Sequence, residues 1–532
     1  MIWTIAKKTF YQHLISFRFS VCFLLILILT NLCVHLHSAS YIKEVQDYQT
    51  AQANAGYELE SIEALSFLQP VVNRPPHPGS ILATGISRQT GSRVYIRQNT
   101  VPVSLSGTRT ENPFASSVRG FDFATVVAVV MGLLALLVSY DAVSWEKENH
   151  LLALALSNAV PRHHFLLGQY TGGALLVLFS LTVALLTSLF SGPILAGIPV
   201  RSGLLLRFLL IYAVSFLFLS VMLWIGILIS AMTRYSFTTL VTLLFLWIGF
   251  VFIIPRLAGL AAEESIGVLG SQSVENRKGR LREEMNKKVD VFRKAIQPQR
   301  SWASMVNRGD RGFMLTTGPN PPETVEYYRK LFAYQGPLAL EYADRVWQAE
   351  KERLDGLKRQ QQWSSVLSAI SPASLYQLAV IQLAGTGRSG YDRFMDAVRR
   401  YRLQILEYIR SEGGFSSDMY FMQYDYGPSN TEMELYRRLT ELYQQFRNAA
   451  GEDRPVLMKR MSETRAQLNR YYEEHPPQKR NLDLSGMPGF QFSHGPVAED
   501  LMGAAIPIGL LVFLNIVFAL LAHVRFLRYD VR

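Results

Sequence analysis

Apolar residues gather into six long runs, separated by segments of very different size and polarity. The runs cover 19–39, 121–140, 165–190, 204–229, 237–254 and 501–523. A hydrocarbon layer about 30 Å thick is crossed by about 20 mostly apolar helical residues, and the six runs are of that order. None has a charge at its centre, where one would cost roughly 2.5–3.5 kcal/mol. Asp122 and Asp141 stand at the ends of the second run, within reach of water or headgroups. Asn31 and Asn515 fall inside runs and read as contacts between helices rather than parts of a pathway. The pattern predicts an all-α membrane protein with about six transmembrane helices.

The polar segments carry their own periodicity. Residues 40–120 open with "YIKEVQDYQTAQANAGYELESIEAL", a helical stretch that "NRPPHPGS" is expected to break. "SRVYIRQNTVPVSL" alternates as a short hairpin would. Residues 256–500 alternate mixed-charge, helix-period stretches with breakers. They predict a large, mainly helical domain between the fifth and sixth spans, long enough to fold by itself. Its frequent tyrosines read as core.

Charge sets the sidedness. The tail 1–18 holds Lys7, Lys8 and Arg18 without an acid, and the tail 524–532 holds Arg525, Arg528 and Arg532 against Asp530. The positive-inside rule places both termini in the cytosol, as an even number of spans requires. Alternation then puts 40–120 and 256–500 on the extracytoplasmic side of a cell membrane and 141–164 inside. The basic tails account for part of the net charge of +11 over 532 residues, so no nucleic acid is expected as a partner. The first run is longer than a signal-peptide core and reads as a retained span. Cys22 and Cys33 both lie in it, so the outer segments stand without disulfides. His35 and His37 are too few to argue for a metal site.

Catalytic signatures are absent. The sequence contains no G-x-x-x-x-G-K-[ST], H-E-x-x-H, CxxC or G-x-S-x-G. "LSGMPG" near Leu484 carries no ATPase reading without a phosphate loop. No catalytic residue and no cofactor is assigned to this chain, and it is not expected to be an enzyme.

The segment between the second and third runs is more informative: "WEKENHLLALALSNAVPRHHFLLGQY". Glu146 and Glu148 fall early in a predicted helix, where the dipole favours acids. Leu151, Leu152, Ala155 and Leu156 recur at helical spacing, and Asn158 and Pro161 end the helix before Arg162. A short amphipathic helix lying on the membrane, joined at both ends to spans, is a handle in mechanical terms. An interfacial helix that merely closes a loop is the plainer alternative.

This stretch resembles the cytosolic segment of the ABC type-2 transporter permeases. The resemblance rests on Glu146-Lys147-Glu148, the aliphatic run Leu151–Leu156, Ser157, Pro161-Arg162 and Leu166-Leu167-Gly168. Asn149-His150 and Gln169 depart from the family's frequent Gly-Thr and Lys. "NRPPHPGSILATG", "SAMTRYSFTTLVTLLFLWIGFVFIIP", "ISPASLYQLAVIQLAGTGRSGYDRF" and "AHVRFLRYDVR" resemble a long-loop subgroup of those permeases. The resemblance implies a permease subunit, of exporter type, coupled to a separate ATPase subunit that binds the ATP. It implies pairing with a second permease copy or a related one. The coupling surface would comprise Trp145, Glu146, Glu148, Leu151, Leu152, Leu156, Pro161 and Arg162. The rival expectation is a membrane-anchored sensor or assembly factor that binds an extracytoplasmic protein.

Overall fold

The computed structural model describes the chain except for residues 87–90, 105–120, 153–160, 200–201, 298–304, 308–311, 316–321, 423–428, 450, 452, 476–480 and 529–532. Six helices are long and apolar enough to cross a membrane: α2 (Phe17–Glu60), α3 (Phe123–Glu148), α4 (Arg162–Ile194), α5 (Ser202–Met232), α6 (Ser236–Ser265) and α13 (Val497–Leu527). The architecture is that of an all-α membrane protein.

An amphipathic helix missed in the basic tail, α1 (Ile2–Leu14), precedes them. It buries Ala6 and Thr9 against the start of α4. The fit depends on two glycines one helical turn apart: a Cβ on Gly168 would sit 2.6 Å from Ile5, and one on Gly172 would sit 2.7 Å from Ala6 and Thr9. Thr9 donates to Gln169 across the same seam, at 2.8 Å. The glutamine is therefore a buried acceptor here, in a place where a lysine would be buried against a helix.

The spans begin and bend for local reasons. Ser16 caps α2 by accepting from the Phe19 N–H. Asp122 caps α3 through the Thr125 N–H at 2.9 Å, while its other oxygen accepts from the Thr84 N–H at 3.0 Å. A π-turn at Val127–Met131 widens α3, and the Trp247 indole of α6 donates to the Val129 carbonyl there. A second π-turn, Gly249–Ile253, precedes Pro255 in α6, and the Ser371 hydroxyl donates to its Phe250 carbonyl. Asn31 pairs with Thr187 and Ser191 of α4. Asn515 pairs with Ser220 and the Leu217 carbonyl of α5, so both span asparagines join helices. Most buried of the membrane helices after α3 is α5, which packs against α3, α4 and α13.

Both ends of the described chain lie on one face of the bundle, the terminal face. On the opposite face α2 continues past its apolar run to Glu60, so the polar helix expected there is an extension of the span. It ends at Ser61, before "NRPPHPGS". The local hairpin expected after Ser92 does not form among the described residues. Instead β2 (Arg93–Tyr95) pairs antiparallel with the distant β1 (Val71–Asn73). The long segment between α6 and α13 is mainly helical: α7 (Ser271–Ile296), α8 (Pro322–Ser368), α9 (Pro372–Leu383), α10 (Arg388–Ser411), α11 (Asn430–Asn448) and α12 (Arg454–Glu474). A short antiparallel pair, β3 (Met305–Asn307) and β4 (Phe313–Leu315), interrupts it. Helix α10 buries Phe394, Val398, Tyr401, Ile405 and Ile409 at helical spacing.

One helix of this segment, α9, joins the core of the spans, whereas α10 belongs to a separate apolar cluster. Helix α9 packs against α5 and α13, and Tyr376, Val380 and Leu383 belong to the same apolar core as the spans. Tyr376 is fully buried, stacks on Phe218 at 4.9 Å and meets the Ser215 hydroxyl at 2.9 Å. Ser215 lies about 20 Å along α5 from its first residue, so α9 enters the bundle.

Candidate functional site: a joint of helix ends

The segment singled out by sequence sits where the ends of five spans meet. After the main body of α3 ends at Ser139, the chain turns and makes one further helical stretch, Ser144–Glu148. Ser230 near the end of α5 holds that turn: its hydroxyl accepts from the Val143 and Ser144 N–H groups at 3.0 and 2.9 Å.

Each member of the acidic-basic-acidic cluster then serves a different helix. Glu146, nearly buried, takes the Lys8 ammonium of α1 at 2.9 Å. Lys147 donates to the carbonyls of Ala231 and Thr233 at 2.6 and 3.0 Å and closes the C-terminus of α5, where a cation is favoured. Glu148 accepts from the Ser236 N–H at 3.1 Å and caps the N-terminus of α6. Arg162, first residue of α4, donates to the carbonyl of Leu527 at 2.6 Å and so closes the C-terminus of α13. Pro161 precedes α4 and its carbonyl accepts from the His164 and Phe165 N–H groups. Caps of this kind are each worth about 1 kcal/mol. The exposed Lys8 makes its pair with Glu146 worth about 1 kcal/mol at most.

Apolar packing closes the joint. Leu152 is 1% exposed and clusters with Val143, Phe165, Trp224, Ile227 and Phe526. Removing such a side chain from water is worth about 1.5–3 kcal/mol. Trp145 and Leu151, by contrast, are each 37% exposed. On the α1 side His13 lies 3.9 Å from Asp141; burial holds its imidazole below the ordinary value, and the Asp141 charge offsets this in part.

The handle differs from the expected continuous amphipathic helix. The helix ends at Glu148, and His150 takes a left-handed conformation, φ 58°, before helix resumes at Leu151. Such a residue is uncommon outside glycine and costs about 1 kcal/mol or more. Leu156 lies outside the described residues. Of the sequence-selected residues, Glu146, Glu148, Leu152 and Arg162 are engaged within the chain, and Trp145 and Leu151 remain accessible. Sequence reasoning missed Lys8, Ser230 and Lys147 as parts of the joint.

His35 and His37 are likewise engaged locally, with the Ser191 and Phe121 carbonyls. No group of three or more metal-ligating side chains occurs among the described residues.

Six spans, a re-entrant α9 and a knot of helix ends on the terminal face define a multi-pass helical membrane protein whose spans are mechanically linked. The family described as ABC-2 family transporter protein matches residues 3–531, nearly the whole chain, and the protein belongs to that family. It is thus a permease component of ABC transport. No curated protein matches the chain.

Proposed function

We propose that this permease is of exporter type and takes its drive from a separate ATPase subunit through residues 145–162. The observation that carries the reading is the joint: one short segment is bonded to α1, to the α5–α6 turn and, through Arg162, to α13. Force applied to it reaches five of the six spans, since α3 and α4 are its own flanks. ATP shifts the spans only as far as the closed ATPase contacts this surface differently in the two states. Trp145 and Leu151 are the accessible apolar residues that a partner groove would take. ATP hydrolysis belongs to the partner, because this chain has no phosphate loop. The basic tails place the terminal face in the cytosol and the segment between α6 and α13 outside a cell membrane. A second permease, identical or related, completes the assembly. Spans α6 and α13 leave most of their apolar windows, each 11% buried, for that copy and for lipid.

The test is Trp145→Ala with Leu151→Asp, measured by co-purification with the cognate ATPase and by the permease's stimulation of its ATP hydrolysis. Loss of two such anchors is expected to weaken binding about thirtyfold or more, the equivalent of about 2 kcal/mol. Ser389→Glu, exposed on the opposite face, serves as the control. Unchanged binding and stimulation in the double variant would remove the proposal.

A further inference from the structure

We infer that the seam between the 65–99 segment and the α8–α10 body is a binding site for a single-ring sugar acid. A cavity of about 150 Å³ opens there, on the face opposite the joint. A cavity of about that size in another protein accepts benzene, so it holds one bare six-membered ring, and the substituents of a larger ligand extend through its open side.

Its wall has two chemistries. Phe313, Phe332, Phe415 and Tyr420 form a connected set of rings with neighbouring centroids 5.1–5.6 Å apart. Opposite in character are Gln69, Gln98, Asn99 and Gln335, with the guanidinium of Arg97. No acid is among the described lining residues. Arg97, Asn99 and Gln335 make no side-chain hydrogen bond or ion pair among the described residues, although Arg97 and Gln335 are half-buried.

The frame around these groups is fixed. The Gln98 amide donates to the Leu65 carbonyl and accepts from the Tyr420 hydroxyl, both at 2.8 Å. Buried Arg402 donates to the carbonyls of Arg97 and Gln98 at 3.3 and 2.7 Å. Gly336 admits the Phe415 ring, which would lie 2.3 Å from a Cβ.

The lining selects among ligands. Among the described lining residues, amines and zwitterions find no carboxylate, and a phosphate ester meets one cation. A flat aromatic acid gives nothing to the Asn99 and Gln335 amides, at a cost of about 1–3 kcal/mol for each one desolvated. A sugar acid gives hydroxyls to the amides, C–H faces to the rings and a carboxylate to the guanidinium fork. The site is independent of the coupling proposal, since it lies on the other face and its test involves no ATPase.

Titration calorimetry of the detergent-purified full chain with sodium D-glucuronate is the test, with D-glucose and sodium acetate as comparators. Saturable binding of glucuronate is expected, with Arg97→Gln and Gln335→Leu each weakening it about tenfold. Neither side chain has a partner among the described residues, so the variants should keep the wild-type unfolding temperature. Binding weaker than about 10 mM, equal affinity for glucose, or affinity unaltered in both variants would overturn the assignment.

Discussion

Replacing Asp500 by alanine isolates an ionic contact that joins α13 to α5 and α10 beside the end of α9. Asp500 lies in the first turn of α13 with its side chain 1% exposed. It pairs with Arg207 of α5 at 2.7 Å and with Arg393 of α10 at 3.0 Å. Arg207 also donates to the Leu383 carbonyl at the end of α9. The variant leaves the Arg207 guanidinium, 6% exposed, without a counter-ion. Breaking a buried pair from one side costs about 3–5 kcal/mol. Arg393 is partly solvated and retains Glu499, so its share is small. Unfolding entropy near 2.1 cal/mol/K per residue gives about 1.1 kcal/mol/K if all 532 residues unfold together. A loss of 4 kcal/mol then lowers Tm by about 4 °C. Intrinsic tryptophan fluorescence of the detergent-solubilised protein reads this shift. The companion variant Arg207→Met with Asp500→Leu removes both charges and should lie closer to wild type than Asp500→Ala, because the pair offsets mainly its own desolvation. A Tm change below about 1 °C for the single variant, or losses that simply add in the double, would refute the reasoning.

Two further outcomes follow from the geometry. Gly226→Ala on α5 would bring a Cβ to 1.8 Å from the Ser139 hydroxyl of α3, an overpacking cost of about 1–3 kcal/mol; Ser139→Gly in the same chain should recover most of the lost Tm. His77 is buried, its Nδ1 accepts from the Gly79 N–H, and burial first, then His494 and nearby guanidinium groups, hold its imidazole well below the ordinary value. A depressed folded pKa means the neutral ring's contribution is complete above about pH 6.5 and is lost as pH falls below it. Wild-type Tm should therefore drop between pH 7.5 and 5, and His77→Asn, whose amide oxygen can replace Nδ1, should drop less; parallel curves would exclude His77 as the source.

The parts of the fold that were legible in the sequence are those set by one helix and its solvent. Apolar length alone marks the six spans, and the apolar stripe of α10 appears at helical spacing in "DRFMDAVRRYRLQILEYIRSE". Helix α1 was hidden because Lys7 and Lys8 made its composition read as a charged tail, although Ile2, Ile5, Ala6 and Thr9 carry the period of a buried face. Helix α9 was passed over because 12 residues are too short to span. Yet a charge-free apolar stretch of that length, set in a strongly charged segment, is the mark of a core or re-entrant helix. The partners of Glu146-Lys147-Glu148 lie 83 or more residues away, so periodicity cannot reveal them. What can be argued from sequence is the supply of charge, two acids and a base in three consecutive residues. What only the fold supplies is the set of helix ends that take them. Once those charges are engaged inside the chain they no longer distinguish the surface. In the proposed coupling, recognition of a partner falls to the apolar residues left outside among those described, Trp145 and Leu151, and the caps behind them turn the contact into a displacement of the spans.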